Sequence, residues 1–179
     1  MLKPRFTFLT SVVVAAAVSR LIPHPPNFTP MIALALFGGA YFTDKRTAYV
    51  VPFAAMVLGD IGLPFLNGYE FFATMRLVVY GSFGLITALG FLLRQDVKLL
   101  NVVAASVAGS IVFFIITNFA VWAGGHLYPM TMSGFVACYI AAIPFFNNTL
   151  LSALLYSAVL FGSVEFAKHK FVVLSEPQR

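Results

Sequence analysis

Charge is scarce in this chain: 9% of its 179 positions are Asp, Glu, Lys or Arg, against about 25% in a soluble domain. So few charges cannot coat a water-facing surface, and with 60% of positions apolar the chain must meet mostly lipid. That excludes a cytosolic enzyme, a secreted scaffold and a disordered tail. Cysteine is almost missing too. Cys138 stands alone, so neither an internal disulfide nor a metal site built on a cysteine pair can form. The sequence has no GxxxxGK(S/T) phosphate loop, no HExxH pair and no GxSxG elbow. Any ATP that drives a process here must be bound by another subunit.

What the chain has is apolar length. A spanning helix needs about 20 mainly apolar residues, and on that scale six stretches emerge, at 6–22, 29–43, 47–66, 71–93, 99–123 and 146–167. The second is short and is expected to lean on its neighbours. Turn-forming clusters separate them: Pro23-His24-Pro25-Pro26-Asn27, Thr43-Asp44-Lys45-Arg46, Asn67-Gly68-Tyr69-Glu70, Arg94-Gln95-Asp96-Val97-Lys98 and Gly124-Gly125-His126. There is no internal repeat and no soluble domain. The fold class is all-α, a six-helix integral membrane bundle forming a single transmembrane domain over 1–179. Residues 128–145, bounded by Pro129 and Pro144, are also apolar enough for a helix. A full crossing there would reverse the last span and export Lys168 and Lys170. They are read as an extra, partly inserted helix lying across the outer mouth.

Eleven Lys and Arg against six Asp and Glu give a net charge of +5. Nine of the eleven (Lys3, Arg5, Lys45, Arg46, Arg94, Lys98, Lys168, Lys170 and Arg179) fall on one side of the six-span reading. Basic residues are retained in the cytoplasm, so both termini are placed there. The excess reflects these loops and not a nucleic-acid surface. Lys3 and Arg5 ahead of an apolar run and Val14-Ala15-Ala16-Ala17 also have the form of a secretory signal peptide. A retained first span is favoured, because many more spans follow it.

Polar side chains collect in the outer half. Arg20, His24 and Asn27 cluster at the exit of the first span. Asp60 lies in the third, Arg76 in the fourth, Asn118 and Trp122 at the end of the fifth, and Asn147 and Asn148 at the start of the sixth. Charges within a bilayer cost about 2.5–3.5 kcal/mol each on insertion scales, so they pair or line a cavity. An outward-facing cavity accounts for them. Asp60 and Arg76 are equidistant from Gly68, which would set them at one depth of an antiparallel hairpin as a structural ion pair or a substrate contact. Pro23, Pro25, Pro26 and Pro30 stiffen the first outer loop, either as a plain rigid loop or as a preformed lid.

His24 and His126 read first as interfacial histidines and second as ligands to a metal carried by a cofactor. Cys138 reads first as a buried inert thiol and second as a soft ligand. Trp122, Tyr128 and Phe145 read as an interfacial aromatic belt, then as walls of a vitamin-sized pocket. Ser11, Ala15 and Ser19, and likewise Ala35 and Gly39, repeat every four residues. Such spacing serves close helix packing, or docking of a partner membrane subunit.

The run His24-Pro25-Pro26-Asn27-Phe28-Thr29-Pro30, followed by Ala33 through Phe42, resembles the bacterial DUF6580 family of transport-type proteins. Thr117 through Trp122, Tyr128-Pro129-Met130-Thr131 and Cys138 through Thr149 resemble it as well. The Gly-rich second span followed by Val57-Leu58-Gly59-Asp60 is similar to the S-components of energy-coupling-factor (ECF) vitamin transporters. That resemblance implies six membrane helices, a vitamin site near the outer leaflet, and docking through small residues of the first helix onto a membrane subunit with ATPases. A likeness to BtuM-type cobalamin S-components makes cobalamin the leading substrate, with no cofactor intrinsic to the protein. Cys138 is not matched to their cobalt ligand, which leaves His24 or His126 as substitutes.

The expectation is therefore a non-enzymatic importer of a small vitamin or cofactor in a bacterial cytoplasmic membrane, with no nucleic-acid partner. Its substrate-binding candidates are Arg20, His24, Asn27, Asp60, Arg76, Asn118, Trp122, His126, Tyr128 and Asn147. Two rivals stand beside it. One is an intramembrane enzyme acting on a lipid or cofactor through Asp60, Glu70 and Arg76. The other is a non-transporting assembly subunit of a membrane complex.

Overall fold

A computed structural model of the chain describes the backbone of residues 4–67 and 73–171 and the side chains of 4–61 and 75–171. Lys3, Arg179 and the Gly68-Tyr69-Glu70 turn lie outside these residues. Six α-helices are described: α1 (Pro4–Ser19), α2 (Met31–Tyr41), α3 (Lys45–Asn67), α4 (Ala73–Gly90), α5 (Leu99–Ala123) and α6 (Met132–Lys170). A 3-10 turn, Phe91–Arg94, extends α4. Met75–Arg94, Leu99–Ala123 and Met132–Lys170 are long and apolar enough to cross a membrane, and Pro4–Ser19 and Met31–Tyr41 are shorter apolar helices. The chain is thus all-α, with the helices of a membrane protein.

The centre of the bundle is α2. All 11 of its residues are buried, with α1, α3, α4, α5 and α6 packed around it. At 1.5 Å per residue it is about 16 Å long, roughly half of a hydrocarbon core. The short second stretch does lean on its neighbours. Helices gain little from hydrophobicity inside lipid, so close approach must hold them. Gly39 and Gly90 supply it where α2 crosses α4: a Cβ on Gly39 would lie 2.8 Å from the Gly90 Cα. The carbonyls at the end of α2 are satisfied by Arg94, whose Nε donates to Gly39 O at 2.8 Å and whose Nη2 donates to Phe42 O at 2.6 Å.

The separate, partly inserted helix is not found. Residues 132–170 form one continuous helix of 39 residues, about 58 Å long. The Thr131 hydroxyl caps it by accepting the Gly134 N–H at 3.2 Å. Pro144 lies within it, on an exposed face. A proline forfeits one backbone hydrogen bond, which packing against a neighbouring helix can compensate. Here α5 supplies that packing on both sides of Pro144: Phe114 meets Tyr139 at 5.5 Å and Phe146 at 5.0 Å, ring centroid to centroid.

The two ends of the bundle differ in chemistry. At one end Phe6 meets Phe42, Tyr41 donates to Glu165 at 3.0 Å, and Lys168 bridges Glu165 at 2.7 Å. The start of α1 and the end of α6 thus lie together, beside Arg94. The opposite end carries Arg20, Asp60 and the proline-rich loop.

Candidate functional site

Arg20 follows the last residue of α1 and reaches across to α3, where its Nη1 pairs with Asp60 Oδ1. Gly59 makes room for it, since a Cβ there would stand 3.3 Å from that same nitrogen. The second oxygen of Asp60 accepts the Tyr80 hydroxyl of α4 at 2.6 Å. Tyr80 is steadied by Phe53, 6.1 Å away between ring centroids. The Arg20 and Asp60 side chains are 18% and 15% exposed. Three helices are thus joined by one half-buried carboxylate.

Asp60 thus pairs with Arg20, a partner that the hairpin reading did not name. The described ends of α3 and α4, Asn67 and Ala73, have position 70 midway between them in number, where the hairpin reading took 68. The position opposite Asp60 is therefore Tyr80, and Arg76 stands one helical turn before it. Arg76 is itself engaged.

The loop between α1 and α2 runs beside this cluster and is fastened to α6. Asn148 Nδ2 donates to Pro26 O at 3.0 Å, and Ser152 Oγ donates to Asn27 O at 3.4 Å. Asn27 adopts a left-handed backbone, φ 62°, which asparagine tolerates better than most residues. Phe28 packs on Tyr156, whose hydroxyl oxygen accepts the Ser19 Oγ at 3.2 Å. His24 Nδ1 lies 2.7 Å from Ile22 O, turned back on its own loop. Of the two asparagines, Asn147 is exposed and Asn148 makes the contact.

The remaining candidates serve the α5–α6 pairing. Asn118 Nδ2 donates within its helix to Phe114 O at 2.8 Å, and the Cys138 thiol points to Asn118 O at 3.5 Å. Trp122 Nε1 donates to Pro129 O at 3.2 Å, and its ring meets Phe135 edge-on at 5.3 Å. His126 is exposed and Tyr128 half-buried. Among the described residues no three His, Cys, Asp or Glu side chains gather as a metal site. His24, His126 and Cys138 do not form a ligand set.

Sequence reasoning missed the roles of Tyr80, Ser152 and Tyr156, all uncharged, and of Tyr41 with Glu165. Only Glu165 carried a signal, as the one acid in the last apolar stretch with Lys168 one turn on. A guanidinium carries five N–H donors, and Asp60 takes Nη1. Its remaining donors suit a carboxylate or phosphate on a solute.

A family model matches residues 1–177, that of DUF6580, a family of unknown function, and the chain belongs to that family. No curated protein and no solved structure matches it.

Proposed function

We propose that this DUF6580 member is a six-span transport protein of a bacterial cytoplasmic membrane, with both termini cytoplasmic. In this reading it binds a small vitamin or cofactor at its outward end and imports it in the manner of an S-component. The observation that carries the reading is the Arg20–Asp60–Tyr80 cluster, half-buried at one end of an apolar bundle and flanked by a loop latched to α6. A scaffold would not need to bear the insertion cost of those charges.

The solute enters beside the loop and meets the guanidinium of Arg20. Its further passage is blocked by the buried α2 and by the Tyr41–Glu165–Lys168 contacts beyond it. Release inward thus requires a tilt or rearrangement of the bundle, driven by an ECF-type membrane subunit with ATPases or, without one, by the solute's own gradient. Cobalamin is the first compound to try. Any protein contact to its cobalt would come from a single side chain, His24 or His126, as the resemblance implies.

The experiment is a visible spectrum and native mass of the purified protein, followed by a thermal-shift panel of vitamins led by cobalamin. A true ligand at 100 times its Kd stabilises by about 2.7 kcal/mol, and Arg20→Gln should abolish that shift. If no compound shifts the protein while it turns over a lipid or cofactor, and Asp60→Asn stops that turnover, the enzyme reading replaces this one.

A further inference from the structure

Near the basic end α5 and α6 part and leave a cleft of about 240 Å³. Its walls include Val102, Val103, Leu154, Ala158, Phe161 and Gly162, and a Cβ on Gly162 would meet nothing within 4 Å. Val103, Ala158 and Gly162 are exposed, so the cleft opens sideways, onto lipid in a membrane-embedded chain. The hydroxyls in its wall are already satisfied: Ser106 and Ser157 bond each other at 2.9 Å. Such a slot has no use for water and suits a hydrocarbon chain.

Two lysines neighbour its lining residues, each in an ion pair. Lys98 sits between the lining residues Val97 and Leu99, and Lys168 bonds Glu165, which also lines the cleft. Each ammonium has three donors. Lys98 spends one on Asp96 at 3.0 Å and is 76% exposed, and Lys168 spends one on Glu165 at 2.7 Å.

We propose that this cleft is a binding site for an anionic phospholipid, its acyl chain between α5 and α6 and its phosphate on Lys98 and Lys168. Basic pockets between membrane helices on the cytoplasmic side recognise such headgroups. The inference rests on the chain lying in a bilayer with this end cytoplasmic, and not on which solute it carries.

The test is native mass spectrometry of the purified protein in detergent with equimolar palmitoyl-oleoyl phosphatidylglycerol and phosphatidylethanolamine. The wild type should retain phosphatidylglycerol over phosphatidylethanolamine by about fivefold or more. Lys98→Gln with Lys168→Gln should equalise the two while lipid is still retained. Ala158→Leu and Gly162→Leu, each filling the cleft, should cut retention of both. Equal retention by the wild type, an unchanged preference in the lysine variant, or full retention in both leucine variants would overturn the proposal. So would displacement of the lipid by millimolar glycerol phosphate, which would mark a site for the headgroup alone. A lost lipid preference with an intact vitamin-induced thermal shift would remove this site and leave the transport reading standing.

Discussion

Asp60 accepts Arg20 on one carboxylate oxygen and the Tyr80 hydroxyl on the other, so a single side chain ties the end of α1 to α3 and α4. Asp60→Asn keeps the shape and removes the charge, leaving a guanidinium in an apolar bundle without its carboxylate. The cost should fall between that of an exposed and a fully buried pair, about 1–3 kcal/mol, seen as a lowered Tm in detergent. Exchanging the two, Arg20→Asp with Asp60→Arg, should recover part of that Tm but not solute binding. Recovery of both would make the pair purely structural.

Among the described residues the Tyr80 hydroxyl donates to Asp60, while its ring packs on Phe53. Tyr80→Phe removes one hydrogen bond to a carboxylate, worth about 1.5–3 kcal/mol. In an Asp60→Asn background the same substitution should cost markedly less. A double-mutant cycle of thermal or denaturant stabilities measures that coupling, and additivity would mean that Tyr80 is held by something else.

Helix positions were legible because long apolar runs end at Pro, Gly and charged clusters: the fifth stretch, 99–123, has the same bounds as α5, and 47–66 lies within α3. Pro144 misled for a physical reason. It reads as a boundary by local preference, but ring packing from Phe114 on both of its sides carries the helix through it. The partner of Asp60 was out of reach because hairpin arithmetic depends on the turn's centre, and a two-residue shift of that centre moves the opposing position by four, from Arg76 to Tyr80. Arg20 comes from forty residues away in sequence, which no local pattern encodes. Asn147 and Asn148 are equivalent as letters, and only the rotation of α6 selects Asn148.

The α2–α4 crossing should be the least forgiving place in the bundle. Gly39→Ala drives a methyl into the backbone of α4 at Gly90. Overpacking of this kind costs about 1–3 kcal/mol, and more where backbone cannot move aside. Gly81→Ala is the control, because a Cβ there meets nothing within 4 Å and alanine is the better helix former by about 1 kcal/mol. Yield and Tm in detergent should fall for the first and hold or rise for the second.

Loop retention should separate the two asparagines. Asn148→Ala removes the bond to Pro26 O, a loss of about 0.5–1.5 kcal/mol. The Phe28 and Thr29 amides should then exchange hydrogen faster, and solute affinity should weaken. Asn147→Ala, at an exposed position, should change neither. Equal effects from both would show that the loop is not held by α6.

Asp44 gives the fold a pH dependence at the basic end. Outside the helices, it caps α3 by accepting the Thr47 N–H and the Thr47 hydroxyl, each at 2.8 Å. Those two bonds, the backbone one first, hold its carboxyl below the usual range. A group whose folded pKa is depressed stabilises above its unfolded value, and that contribution is lost as pH falls through the folded pKa. Tm should therefore decline as pH drops below about 5, partly on account of this cap. Asp44→Asn can still cap the helix but cannot titrate. Its Tm difference from the wild type should be constant near neutrality and shrink in acid. A difference that stays constant down to the lowest pH at which the fold persists would show that Asp44 gives α3 no charge-dependent support.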